Sequence, residues 1–355
     1  QVLTITKGIC CHGLPHTLMS LSCRLFAYLC LIATHCRAYG DGCPGNTTAD
    51  EVTDGFNLSG RIAVVTGGDS GLGFAIAKAL AHRGARVIIG AHNLTKGNAA
   101  AKIIKDATGR DVLPLYVDFA SLASVHAFAR QVENQTPALH FLFNDAGIGS
   151  DPKRKTRDGF DTTFQVNYLS HFLLTELLLP CLRKGSPSRV VSTSGGLESK
   201  ACELAGWPEN CLRDWSFLPP PVIPQQNLSS SMVSIFLKIQ HAAELARREA
   251  PNGIQAFSFE PGMALTPLTA KSNFTQICAY VAQKPCPYTA DQAVSVALFV
   301  ALHKARSGSF FSRTLACNEG EVGMNGFTED MRPELYQRSL AWSGLTMLPT
   351  SSVLV

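Results

Sequence analysis

Charge is what this chain has least of. Of its 355 residues, 16% are charged and 46% are hydrophobic. Disordered chains show the opposite balance, so the composition requires a folded core. A basic block is also missing. The 31 Lys and Arg against 27 Asp and Glu leave a net charge of +4, spread along the whole length. Nucleic-acid binders gather their cations on one face, so no nucleic-acid partner is expected. Beyond Gly40 there is no Cys-x-x-Cys and no Cys/His cluster with zinc spacing, and no metal site is expected. The apolar run Leu25 to Ala33 is about half the ~20 residues that a membrane-spanning helix needs. Internal repeats and low-complexity tracts, which would indicate a second module, are lacking too.

What is there begins with an address. Met19 to Gly40 reads as a secretory signal peptide: Arg24 closes a short basic region, Leu25 to Ala33 is the apolar stretch, and Ala38-Tyr39-Gly40 offers a small-x-small cleavage site. An uncleaved membrane anchor is the competing reading. Residues 1–18 carry no folded pattern and are not expected to be native structure. Residues 41–57 are expected to form a loose N-terminal arm, and 346–355 a C-terminal tail. Six Asn-x-Ser/Thr acceptors, at Asn46, Asn57, Asn93, Asn134, Asn227 and Asn273, suit a glycosylated protein that is secreted or held in the ER lumen. Val355 ends the chain without an ER-retention tetrapeptide, which favours secretion. Seven cysteines follow Gly40: Cys43, Cys181, Cys202, Cys211, Cys278, Cys286 and Cys317. In an oxidising compartment Cys202/Cys211 and Cys278/Cys286 are close enough in sequence to close local disulfide loops, although connectivity stays open. Cys181 reads better as a buried small hydrophobe.

From Arg61 the pattern becomes regular. Ile62 to Val65 is a short buried strand, followed by Thr66-Gly67-Gly68-Asp69-Ser70-Gly71-Leu72-Gly73. An alanine-rich helix runs from Phe74 to Arg83, Gly84 stands at its C-cap, and Arg86 to Gly90 is the second strand. This βαβ unit with a glycine-rich first turn sets a pyrophosphate against a helix N-terminus. Gly67 permits the tight turn, Gly71 lets the backbone approach the phosphates, and Gly73 lets the helix pack close to the sheet. Asp69, Ser70 and Leu72 complete the cradle.

Thr-Gly-x-x-x-Gly-Leu-Gly resembles the phosphate turn of the short-chain dehydrogenase/reductase family, and the resemblance covers roughly residues 58–345. Asp118, after the third strand, is similar to the family's adenine-contacting Asp. Phe143-Asn144-Asp145-Ala146-Gly147 resembles its Asn-Asn-Ala-Gly segment, with Asp145 in place of the second Asn. The stretch Asp158 to Thr175 resembles the long fourth helix and puts Asn167 at the catalytic Asn. Pro261-Gly262 with Thr266 resembles the stretch that touches the nicotinamide side. Glu244-Leu245-Ala246-Arg247-Arg248 and a closing helix over Leu335–Leu345 are closest to retinol dehydrogenases and the WW-domain oxidoreductase branch. The resemblance implies an α/β fold: a single Rossmann-like, doubly wound parallel sheet with helices on both faces, and a homodimer as an open option.

It also implies a dinucleotide, and NADP(H) is favoured over NAD(H). An acidic residue ending the second strand would select NAD. Ala91 stands there, followed by His92 where this branch has an Arg for the 2′-phosphate; neutral His is a poorer phosphate partner. His92 also reads as a solvated loop residue.

At the reaction centre the pattern breaks. Family members reduce carbonyls with a Tyr, a Lys four residues later that lowers the phenol pKa from ~10, a Ser, and the helix-four Asn. Here the Ser position falls on Gly195, with Ser194 one residue away; the Tyr position falls on Ser231 and the Lys position on Ile235. No tyrosine occurs between Tyr168 and Tyr280. Tyr280-x-x-x-Lys284 fits the string but follows Pro261-Gly262, and reads as a lid aromatic. Lys238, three residues past Ile235, is close enough to approach the site, although it has no phenol to tune; its other reading is a solvated helix residue. Gly196 to Ser230, with Trp207, Trp215 and Phe217, suits either the lining of an apolar pocket or a cover over the core. Three functions stay open: a dinucleotide-binding protein with weak or no oxidoreductase activity and an apolar ligand; an active NADP-dependent oxidoreductase of lipophilic alcohols or carbonyls using a rearranged acid; and a structural glycoprotein without cofactor.

Overall fold

The computed structural model describes residues 47–149, 155–195, 229–270, 288–313, 318–319 and 328–345. The signal-peptide region, Cys43, Cys202, Cys211, Cys278, Cys286, Cys317, Tyr280, the sequons at Asn46, Asn227 and Asn273, and nearly all of the 196–230 loop lie outside the described residues.

The sheet runs in the order β3-β2-β1-β4-β5-β6-β7-β8. Its strands are β1 (Ile62–Thr66), β2 (Arg86–Ala91), β3 (Val112–Tyr116), β4 (Phe141–Asn144), β5 (Ser188–Thr193), β6 (Ile254–Glu260), β7 (Phe310–Ser312) and β8 (Asn318–Glu319). All pairs are parallel except β7 with β8. The described helices of five residues or more are α1 (Ala49–Thr53), α2 (Gly71–His82), α3 (Leu94–Thr108), α4 (Leu122–Gln135), α5 (162–184), α6 (Ser229–Glu249), α7 (Ser295–Leu302) and α8 (Arg332–Trp342).

Strand side chains alternate between faces, and the core divides accordingly. Ala63, Val65, Val87, Ile89, Phe141, Phe143, Val191 and Phe257 join one apolar cluster with α2 and α7. Their chain neighbours Val64, Ile88, Leu142, Val190 and Ala256 join a second cluster with α4 and α5. Both faces are therefore dry, as a parallel sheet flanked by helices requires. Burying one such Val, Leu or Ile side chain contributes about 1.5–3 kcal/mol. Cys181 is a free thiol within the second cluster, as its apolar neighbourhood in sequence suggested.

Residues 47–57 are not loose. Thr48 and Glu51 form a reciprocal capping box at the start of α1. Ala49 and Val52 are buried in the first core cluster. Arg83 reaches Thr53 and Asp50, His303 Nε2 donates to Val52 O, and the buried Arg313 donates to Thr47 O. Three sequons fall in described segments. Asn57 accepts from Ser59 N in a turn, Asn93 caps α3, and Asn134 lies inside α4 with Thr136 buried.

On the far side of α5, Tyr336 donates to Glu176 Oε2 at 2.5 Å, and Arg248 stacks on the Tyr336 ring at 4.0 Å. Burial raises the Glu176 carboxyl to about 7, only partly opposed by the Tyr336 hydrogen bond and the Arg248 charge. Below the unfolded-chain value the stabilisation is complete; it is lost as pH rises through about 7, because the folded protein must then release a proton from a desolvated site. The loss is on the order of 2 kcal/mol. Glu176→Gln lacks it. Thermal melts of parent and variant should therefore diverge in the variant's favour by a few degrees between pH 5 and pH 8.

Candidate active site

The cleft opens at the C-terminal edge of the sheet, where β1 and β4 are neighbours but their crossovers leave in opposite directions. That divergence is the switch point at which doubly wound folds bind ligands. The cavity measures about 710 Å³.

Its central wall is the turn from β1 to α2. Gly67 and Gly71 have φ of +68° and +57°, which favour glycine. At Gly73 the constraint is space: a Cβ there would lie 2.5 Å from Gly67 O. Asp69, Ser70 and Leu72 line the cavity with Gly67 and Gly71, whereas Gly73 acts behind the wall.

Toward β2 and β3 the cleft is bordered by His92, Val117 and Asp118. His92 is exposed, with Nε2 3.9 Å from Asp118 Oδ1, while Asp118 Oδ1 accepts from Ala120 N at 2.9 Å. Ala91 is buried and brings no carboxylate. Toward β5 and β6 lie Ala146, Gly147, Asn167, Ser194, Ser231, Ile235, Pro261, Gly262 and Thr266. The sequence motifs are thus brought to one edge from segments nearly 200 residues apart.

Two predicted contacts are corrected. Asn144 is fully buried, does not line the cavity, and donates through Nδ2 to Thr175 Oγ1, so it braces the sheet against α5. Asn167 faces the cleft, but its amide is committed: Oδ1 accepts from Ile148 N and Nδ2 donates to Ile148 O. It sits in a π-turn, Gln165–Leu169, and its carbonyl accepts from His171 Nδ1. A carbonyl can only accept, so the His171 proton is on Nδ1 and Nε2 accepts from Thr66 Oγ1 at 3.0 Å. Burial pushes the His171 pKa well down, and the ring stays neutral. Thr66 Oγ1 in turn accepts from the N–H groups of Asp145 and Ala146.

At the reaction centre, Ser194 donates to Phe259 O through Oγ at 3.0 Å, so its hydroxyl proton is directed to β6. Ile235 fills the space beside Gly195: a Cβ on Gly195 would lie 3.1 Å from Ile235 Cδ1. Ser231 lines the cavity in the tyrosine position. None of the described tyrosines, Tyr116, Tyr168, Tyr288 and Tyr336, lines it.

Of the two readings of Lys238, the structure supports approach to the site and not the solvated one. Lys238 is 6% exposed, lines the cleft, and donates from Nζ to Thr193 O at 2.8 Å. Desolvation lowers its pKa to about 8 against the opposing pull of Asp145. Asp145 Oδ1 accepts from Thr193 Oγ1 at 2.5 Å, and burial raises its carboxyl. The helical spacing 231, 234, 235, 238 puts all four residues on one face of α6, a signal already present in the sequence. No group of His, Cys, Asp and Glu among the described residues could hold a metal ion.

The preformed turn, the glycine close approach and the helix N-terminus fit a dinucleotide pyrophosphate. Gly73→Ala should push Gly67 out of place and weaken dinucleotide binding at least tenfold, read by NADPH fluorescence titration, while the circular dichroism spectrum is retained.

The short chain dehydrogenase family model matches residues 61–205. WW domain-containing oxidoreductase of Gallus gallus is 30% identical over 298 residues, 83% of this chain and 71% of that protein. Retinol dehydrogenase 11 of Mus musculus is 32% identical over 299 residues, 82% of this chain and 89% of its own length. Among solved structures, a short chain dehydrogenase from Burkholderia cenocepacia J2315 in complex with NADP is 25% identical, with a TM-score of 0.58 over 72% of this chain and 97% of that one. Sheet order, phosphate turn and these likenesses agree, and the chain belongs to the short-chain dehydrogenase/reductase family, on its retinol dehydrogenase and WW-domain oxidoreductase branch.

Proposed function

We propose that this protein binds NADP(H) and, lacking the family's proton-donor pair, reduces carbonyls or oxidises alcohols weakly or not at all. The observation that carries this is the contact between Ile235 and Gly195, with Ser231 one turn before. Where the resemblance calls for a hydroxyl, a phenol and an ammonium, the cleft has a bare backbone, a short alcohol and a hydrocarbon. A serine hydroxyl with an ordinary high pKa is a poor acid for an alkoxide, and no cation at 235 tunes it. Acid–base catalysis contributes ~10²–10⁴ in rate, and its members act as a unit.

Preference for NADP(H) over NAD(H) is supported by Ala91, which brings no carboxylate to the ribose 2′ position, and by His92 beside it. Ile148, Val166, Ile235 and Leu268 wall the other end of the cleft, which suits a small apolar ligand. The leader pattern and the exposed acceptors Asn57 and Asn93 support export and glycosylation.

Purified, secreted protein should bind NADPH in fluorescence titration. Its turnover of aliphatic aldehydes, retinal and steroid ketones should lie at least a hundredfold below that of an intact family member. The triple variant Gly195→Ser, Ser231→Tyr, Ile235→Lys should raise that turnover by a factor of ten or more. Ordinary enzyme rates in the unaltered protein would overturn the reading.

A further inference from the structure

We propose that Lys238 is a ligand-binding cation of the cleft: an ammonium set about one helical turn beyond Ile235, holding an oxygen of the dinucleotide half opposite the adenosine, with Asp145 as its counter-charge. The assignment rests on the dinucleotide reading above.

The geometry is specific about which half. The phosphate turn sits at the centre of the cleft, His92 and Asp118 border the side of β2 and β3, and Lys238 borders the side of β5. A dinucleotide with its pyrophosphate at Gly67–Gly73 and its adenosine beside Asp118 therefore extends its second ribose toward Lys238.

Donor accounting supports the same conclusion. An ammonium carries three N–H donors. Among the described residues Nζ makes one hydrogen bond, to Thr193 O. Asp145 acts on it only through space, with no direct ion pair between them. A desolvated ammonium with donors left over is costly unless a ligand completes its shell, and the open side of this one is the cleft. The counter-charge is fixed on both sides: Thr193 joins Asp145 through its hydroxyl and Lys238 through its carbonyl. Ribose hydroxyls are oxygen acceptors of the kind the free donors require.

The titratable groups around Lys238 are few. Asp145 faces it from the end of β4, and His171, held neutral, faces it from α5. β5 offers neutral Thr193 and Ser194, and His241, pushed down to about 3 by burial, lies on α6 itself.

The test compares NADPH with adenosine 2′,5′-bisphosphate, which has no second ribose, by fluorescence titration and calorimetry. Lys238→Met should weaken NADPH about tenfold and leave the bisphosphate unchanged. Adding Ile235→Lys to that variant should recover most of the loss by returning a cation to the same helix face. NADPH affinity of the unaltered protein should fall between pH 7 and pH 9, and that of Lys238→Met should stay flat. Should the single variant not fold, Asp145→Asn/Lys238→Met removes both charges and serves the same comparison. Equal NADPH affinity in parent and variant overturns the assignment alone. Equal weakening of both ligands overturns it in favour of a structural lysine. Failure of the unaltered protein to bind NADPH overturns the dinucleotide reading and the assignment together.

Discussion

One threonine hydroxyl fixes the geometry on which the cleft depends. Thr66 ends β1 and accepts hydrogen bonds from the N–H groups of Asp145 and Ala146, while its proton is directed to His171 on α5. Three elements meet at one oxygen. The exit of β4 is thereby pinned beside the phosphate turn, and the Asp145 carboxylate is aimed at Thr193. A neutral, single-tautomer histidine suits this task, because a charged ring would lose its acceptor and break the chain of bonds. The same histidine holds the Asn167 carbonyl, so the π-turn in α5 and the end of β1 form one continuous polar strut through an otherwise apolar layer.

That strut stands beside the phosphate turn, and the β5 side of the cleft is lined by Ser194, Ser231 and Ile235. Gly195 and Ile235 are complementary: the bare backbone of the loop leaves room for the apolar side chain on the helix. Asp145 and Lys238 form the opposite kind of pair, two polar groups bridged by Thr193 through its hydroxyl and its carbonyl. Replacing either alone leaves the other uncompensated, a penalty of about 3–5 kcal/mol for a fully buried pair. Here the open cleft side reduces it.

Much of the fold was legible in its apolar runs and glycines. The unbroken runs Ile62-Ala63-Val64-Val65 and Val87-Ile88-Ile89 mark strands dry on both faces, and glycine placement at 67, 71 and 73 marks the turn between them. The long fourth helix and the Pro261-Gly262 turn followed from resemblance rather than from period. What escaped was governed by tertiary context. The sequence left Lys238 either near the site or solvated, and only the path of β5 beside α6 shows that the face it shares with Ser231 is internal. Asn144 and Asn167 have the right types at the right positions, yet the scaffold holds Asn144 through Nδ2 and Asn167 through both amide atoms, a fact no motif carries. α1 left a signal in Thr48 and Glu51, but five residues are too few for periodicity to register.

The packing of α1 bears on how far back along the chain the folded unit extends. Arg313 is wholly buried against Tyr288, and one of its acceptors is the carbonyl of Thr47. Loss of the chain through Thr47 would strip that interior guanidinium of an acceptor, so the folded unit reaches back at least to Thr47.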